Sequence, residues 1–523
     1  MRSATLAGLV TATLVALLAM AALPADSDDD ASGSTVKRPT SSKPLVVMVV
    51  FDEFPVDDMV TPDGRIDAAR YPNFASLSRQ STWFRNAASV YDSTFKAVPS
   101  ILDSRLPAPL TAPDVRSHPH SLYTLFHRLG WNIVDAESAT ALCPPSICRG
   151  ARRTRPGVLR RLAGGGRPGR LNRWIHSIRP RSKPTLYFQH ALLPHEPWLY
   201  LPSGRQSRPS GNDPIEGINQ PKGFGDADLV RHNHQRHLLQ VGYTDRELGR
   251  LISRLRQTGL YDRATIAVVA DHGIAFEVGV TDHRRVTNTN VEQITAVPLF
   301  IKRPHQRHGG ISNSFVRTID VVPTIASLVH AKIDWRHDGR SVFSRAAAQR
   351  RSVAIVARDF SHTVRIGGRE WEQRREARRQ ELASTFGTGF ESTLRYGSAW
   401  AQLYRIGAHP ELIGRAANSV LVPTAGRAQI ANAGLLGNVN PAARLLPTRL
   451  EGRLSGNPPA TRRDLAAAVD GRIVAVGRSF YLRGERTEYF SMMLPEESLH
   501  AGRGRVELME VAPDGHLYRL ART

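Results

Sequence analysis

With 523 residues, the chain exceeds what one small domain holds and is long enough to bury a full α/β core, so one large domain plus a further unit is expected. Its 70 Lys and Arg against 47 Asp and Glu leave a net charge of +23, carried almost wholly by arginine. That balance fits attraction to nucleic acid, attraction to anionic lipid or an arginine-biased genome, and the absence of a recognised nucleic-acid-binding motif among the basic residues sets the first aside.

Met1-Arg2 precedes an apolar stretch from Leu6 to Leu23, then Asp26 to Asp30 and a Ser/Thr/Pro/Lys segment up to Lys43. Residues 1–25 read as an export signal, either cut near Ala19-Met20-Ala21 or retained as a membrane anchor, and 26–43 as a disordered linker. The single positive charge lies before the apolar run, so in both cases the remainder is expected outside the cytoplasm, secreted or anchored in the cell membrane.

From Pro44 onward, short β-rich runs at 44–51, 131–134, 185–193, 264–270 and 296–302 alternate with helical patterns such as 234–257. This rhythm predicts an α/β fold with a mainly parallel central sheet flanked by helices over 44–345. Cys143 and Cys148, five apart, are the chain's two cysteines, and export predicts a disulfide between them. Residues 149–183 hold eleven arginines and one lysine without an acidic residue, which reads as a solvated basic insertion or as a surface for anionic lipid or polymer. Past about residue 345, a charged helical segment, REWEQRREARRQEL, and scattered strands mark 346–523 as a smaller α+β accessory region.

In open parallel sheets, chemistry gathers at the carboxyl ends of the strands. The first strand runs into Asp52-Glu53, and the run 264–270 leads directly into Asp271-His272-Gly273. Acids delivered at the ends of buried apolar strands are costly without a counterion, and an Asp with a His suits a divalent metal of intermediate hardness. Thr94 stands shortly before an expected helix start near Pro99, where the positive end of the helix dipole favours an alkoxide or an incoming anion. By itself each segment also fits an ordinary cap or loop; together they suggest a site.

The order of FDEFP, RYPNFASL, DSTFKAVPSIL, HALLPHEPW, GYTDRELGRLISRL, ADHG, VPLFIKRP and DVVPTIASLV resembles the alkaline phosphatase and sulfatase superfamily across roughly 44–345. The resemblance implies an alkaline phosphatase-like fold and an enzyme in which Asp52, Thr94, Asp271 and His272 ligate one divalent ion. That ion is expected to be manganese, with zinc, calcium or magnesium as alternatives. It implies Thr94 as covalent nucleophile, His195 as the group that touches substrate or protonates the leaving oxygen, and Arg284 and Arg285 as basic substrate contacts. His190 is a further substrate-contact candidate that equally fits a satisfied core histidine; Trp198 and Tyr200 fit a sugar or lipid site, or packing.

The aligned stretch TFKAVPS carries threonine where sulfatases carry the cysteine or serine of a CxPxR-like signature, and lacks its arginine. Asp245 and Gly249 occupy positions where two-metal phosphodiesterases place Asp and His. The pattern is therefore most similar to the threonine-dependent phosphoglycerol and phosphoethanolamine transferases and lipoteichoic acid synthases, whose first-strand ligand is usually glutamate, so that Glu53 competes with Asp52 for that role. The expected activity is phosphoryl transfer or hydrolysis on an anionic lipid or cell-envelope glycopolymer at a membrane surface. Hydrolytic phosphodiesterase or phosphatase, sulfuric ester hydrolase, and an inactive metal-binding envelope organiser are the alternatives.

Overall fold

Leu45–Asp52 (β1) has seven apolar residues before its aspartate, and all eight are buried, so this strand needs cover on both faces and partners on both edges. The computed structural model describes residues 43–148, 166–209, 225–280, 282–418, 426–456, 461–502 and 504–522. Residues 1–25, expected to be an export signal, nearly all of the expected linker, and residues 149–165 of the basic insertion lie outside them. Among the described residues, the large sheet adds Thr82–Phe84 (β2), Asn132–Ala136 (β3), Thr185–Pro194 (β4), Ala264–Ala270 (β5), Leu299–Lys302 (β6) and Gly310–Ser312 (β7) to β1. Their order is β3-β4-β1-β5-β6-β2-β7.

Four adjacent strands, β3, β4, β1 and β5, run parallel, while β6 runs antiparallel to β5 and β2. The fold is thus the expected α/β arrangement, with its antiparallel portion confined to one side. An aromatic group of Phe51, Phe54, Phe74, Phe300 and Trp83 fills one part of the core, its neighbouring rings about 6 Å apart or closer. The long helix Ala227–Gln257 (α2) starts seven residues before the expected 234, because Asp226 caps it by accepting from the backbone nitrogens of Asp228 and Leu229.

Cys143 and Cys148 form the expected disulfide. The described end of the basic insertion is partly packed: the helix Arg167–Ser177 buries Leu171, Trp174, Ile175 and Arg167, while Arg173, Arg179 and Lys183 stay exposed. No described helix is long and apolar enough to cross a membrane.

Beyond residue 345, Ser352–Val356 pairs with Thr363–Gly367, and the charged segment forms the helix Gly368–Phe386 (α3). The rest is β-rich, with one sheet around Arg449–Ser455 and Glu488–Met493 and another around Asp464–Val469 and Val506–Val511. This region has its own apolar core of residues such as Leu450, Leu465, Phe490 and Leu508.

Helix α3 is tied to the large sheet's loops by Arg375, whose buried guanidinium meets Asp57 at 2.7 and 2.9 Å and also donates to the Arg85 carbonyl and Asn86 Oδ1. Removing one partner of a buried pair costs about 3–5 kcal/mol, and Arg379, 3.3 Å from Asp57, offsets only part of that loss. Arg375→Ala is therefore expected to lower unfolding free energy by that order in denaturant titration, whereas exposed Arg369→Ala leaves it nearly unchanged.

Candidate active site

Parallel, in-register strands bring their carboxyl ends to one edge. Phe51 stands opposite Ala270, and Asp52 opposite Pro194, so the residues leaving β1, β4 and β5 converge there. Asp52, Asp271 and His272 are fully buried, and one ligand atom from each lies within 4.8 Å of the others. Thr94 Oγ1 is 3.2 Å from Asp52 Oδ1 and 3.2 Å from His272 Nε2. Side chains from three segments far apart in sequence therefore meet around one point.

Thr94 opens the helix Thr94–Asp103 (α1), with Ser93 as its N-cap residue. The expected start near Pro99 is corrected: the helix begins five residues earlier and Pro99 lies inside it. Proline near a helix start removes a single backbone donor, and here the chain accepts that loss. The consequence for chemistry is favourable, since the Thr94 hydroxyl sits directly at the positive end of the helix.

The donor set fits a divalent cation. His272 Nδ1 hydrogen-bonds the Gly273 carbonyl at 2.8 Å, which leaves the Nε2 lone pair facing Thr94 and Asp52. Asp271 Oδ1 accepts from the backbone nitrogens of His272 and Glu53, at 2.6 and 3.3 Å. Asp271 Oδ2 and Asp52 Oδ2 are buried without a hydrogen-bond partner, a costly condition that a bound cation relieves. Burial, with the negative Asp52 beside it, pushes the Asp271 carboxyl up to about 7. Burial also opposes charge on Asp52, yet His195, His190 and His272 outweigh it and hold that carboxyl below its usual range.

Glu53 does not share this centre. It has φ 58°, left-handed for a residue other than glycine, and its carboxylate meets a different set of partners. There Oε1 meets Arg284 Nη1 at 3.2 Å and the Nε2 atoms of His195 and His283 at 3.5 Å. Burial raises the Glu53 carboxyl, but His195, Arg284 and His283 together hold it well below the usual range. His195 Nδ1 bonds the Glu196 carbonyl at 2.6 Å, leaving Nε2 toward this group. The structure turns Arg284 toward the site, whereas Arg285 is exposed.

His190 stands behind Asp52. Its Nδ1 meets Glu137 Oε1 at 2.9 Å, and its Nε2 lies 3.5 Å from Asp52 Oδ2. Burial works against a charged imidazole, but Glu137 and Asp52 lift its pKa well above the ordinary histidine value. Its position supports the strand-end acid and is not open to a substrate, since the side chain is fully buried. Trp198 packs against Phe276 and His237, and Tyr200 stacks on Tyr243, so both serve the core.

Sequence reasoning missed His283, Glu137 and Arg167. His283 precedes Arg284 in TDHRRV and carries no strand-end signal; Glu137 follows β3 directly and offered the same signal as Asp52. Arg167, hidden in the arginine-rich run, donates to the carbonyls of His195 and Glu196. Asp245 caps the helix beginning at Pro72 by accepting from the backbone of Asn73 and Phe74, with burial pushing its carboxyl up to about 6. A Cβ on Gly249 would stand 2.4 Å from Asn73 Oδ1, so that position admits no histidine without displacing Asn73.

Residues 170–331 match the family model described as Sulfatase. Among solved structures, similarity extends to a protein determined with its substrate D-glucosamine-2-N,6-O-disulfate, at 12% identity and a TM-score of 0.47, covering 68% of this chain and 98% of that one. It extends also to the phosphonate monoester hydrolase of Silicibacter pomeroyi, at 16% identity and 0.39, covering 60% and 79%. The phosphonate monoester hydrolase of Agrobacterium radiobacter shows 13% identity and a TM-score of 0.41, covering 57% of this chain and 76% of that one. No curated protein sequence matches the chain.

Proposed function

We propose that this sulfatase-like chain is a metal-dependent enzyme acting on phosphoryl esters outside the cytoplasm, with Thr94 as covalent nucleophile. The observation that carries the reading is the Thr94 hydroxyl, 3.2 Å from both Asp52 Oδ1 and His272 Nε2 at the start of α1. Asp52, Asp271, His272 and Thr94 would hold one divalent ion, manganese by preference, which supplies Lewis-acid charge neutralisation and lowers the pKa of the alcohol.

Thr94 Oγ1 loses its proton to solvent water and forms a bond to phosphorus as the P–O bond to the leaving group breaks; the leaving oxygen takes a proton from Nε2 of His195 in its imidazolium form, which solvent then reprotonates. Arg284 would hold a non-bridging phosphoryl oxygen, and the contacts of Glu53 to both Arg284 and His195 support that reading. The phosphothreonine then passes its phosphoryl group to water or to an acceptor hydroxyl, restoring Thr94. A threonine cannot be converted to the aldehyde hydrate of sulfatases, which favours phosphoryl over sulfuryl esters. The apolar N-terminal segment and the disulfide support an extracytoplasmic site of action, where a lipid-linked donor and an envelope lipid or glycopolymer acceptor are natural partners.

The test uses purified chain with manganese and two chromogenic esters, bis(4-nitrophenyl) phosphate and 4-nitrophenyl sulfate. Phosphate diester turnover is expected to exceed sulfate ester turnover by on the order of a hundredfold, a difference of about 2.7 kcal/mol in barrier. Preferential sulfate release would overturn the reading.

A further inference from the structure

A second group of ligating atoms lies outside the Thr94 centre. His234 and His237 are three residues apart on α2, a spacing that puts both on one face of the helix. Asp58 comes to them from the short turn Val56–Met59 that follows β1. All three are buried, and one nitrogen or oxygen from each lies within 4.8 Å of the others.

The neighbouring acids are treated differently. Asp57 is neutralised by Arg375 and Arg379, whereas Asp58 faces histidines alone among the described residues. Asp58 Oδ1 is 3.0 Å from His234 Nε2, and Asp58 Oδ2 is 2.9 Å from His237 Nδ1. The second contact lacks hydrogen-bond geometry, and both of its atoms are buried without a hydrogen-bond partner. His237 Nε2 stands 3.1 Å from the Glu53 carbonyl, to which it can only donate. In the neutral ring the lone pair on Nδ1 then faces a carboxylate lone pair at 2.9 Å, a repulsive arrangement unless a positive charge lies between them.

We propose that Asp58, His234 and His237 form a second metal site, taking a divalent cation of the zinc class. Two nitrogens and a carboxylate suit such an ion. The ligand atoms, 2.9 and 3.0 Å apart, stand a few tenths of an ångström closer than the roughly 3.4 Å between donors about 2.1 Å from a tetrahedral ion, so a small outward shift, with loss of the His234 to Asp58 hydrogen bond, admits the cation. Donation of the second ring nitrogen to a backbone carbonyl is the usual support of a metal-bound histidine. Aromatic rings pack on the histidines: Phe276 stacks on His234 at 4.1 Å, Phe386 also meets His234, and Trp198 meets His237.

The site pins the Glu53 carbonyl through His237, and so fixes the turn that sends Asp52 and Glu53 to different partners. One contact opposes it. Arg378 Nη2 lies 3.3 Å from His234 Nδ1, and ligation through Nε2 places the ring proton on Nδ1, so this contact must open when the ion binds. Arg378→Met is accordingly expected to tighten the site severalfold.

The test is metal content by mass spectrometry of the full chain, stripped with chelator, reloaded with zinc and dialysed. Two ions per chain are expected for wild type, and one each for His237→Gln and Asp271→Asn. Two ions persisting in His237→Gln, or a single wild-type ion that Asp271→Asn removes, would overturn the proposal. A single ion that survives Asp271→Asn but not His237→Gln upholds it and removes instead the Thr94-centred ion of the proposed function. Where His237→Gln does not fold by circular dichroism, anomalous scattering from zinc-soaked wild-type crystals decides, with a peak between Asp58 and His237 expected and its absence overturning the site.

Discussion

Thr94→Ala is expected to abolish turnover of phosphate diesters, with kcat lowered on the order of a thousandfold or more, while the chain stays folded. The substitution removes a buried hydroxyl and one methyl group and leaves Asp52, Asp271 and His272 in place, so the proposed cation would keep three of its four protein ligands. Thr94→Ser keeps an attacking hydroxyl at the start of α1 and is expected to retain substantial activity, with only the packing of one methyl lost. Rapid acid quench of wild type during turnover, followed by peptide mass spectrometry, should find a phosphoryl group on Thr94. Equal turnover by wild type and Thr94→Ala would remove the nucleophile from the scheme.

Asp271→Asn should have a comparable effect by a different route. An amide oxygen ligates a divalent ion more weakly than a carboxylate, and the loss of negative charge leaves Asp52 alone against the cation. Metal affinity is expected to fall on the order of a hundredfold, measured by calorimetric titration of chelator-stripped protein. In wild type, affinity should drop roughly tenfold per pH unit below about 7, because the ion must displace the proton that burial and Asp52 hold on Asp271 up to that pH.

The linked effect on stability has a definite sign. Metal-free folded chain keeps a proton on Asp271 up to about pH 7, whereas the unfolded chain releases it near the ordinary value of 3.8. The folded state therefore binds more protons between those values, and its stability declines as pH rises through that window. Stripped Asp271→Asn lacks this contribution, so its melting temperature should fall less between pH 5 and pH 8 than that of stripped wild type. Saturating metal should abolish the difference for wild type.

Periodicity and composition at the strand ends made much of this legible. The unbroken apolar run 45–51 has no place except the centre of a covered sheet, and the acids and histidines that end β1 and β5 lie at the carboxyl edge in any parallel arrangement. The boundaries of helices were less legible. Pro99 suggested a start that Thr94 pre-empts, and the capping carboxylate of Asp226 draws α2 back by seven residues. Arg167 was unreadable inside a basic run, because charge content does not reveal which guanidinium a fold will bury against backbone carbonyls.

Local sequence by itself determined that acidic residues would terminate two buried strands, that Thr94 would stand near the head of a helix, and that Cys143 and Cys148 could close a short loop. Only the tertiary structure decided which of the adjacent acids Asp52 and Glu53 joins Thr94, that Arg284 and not Arg285 turns inward, and that His190 serves Asp52 from behind. The physical reason is that direction is not encoded by residue type. A single left-handed backbone angle at Glu53 sends two neighbouring carboxylates to different partners, and the backbone there is held by His237 of α2 and by Asp271 just after β5, 184 and 218 residues away in the chain.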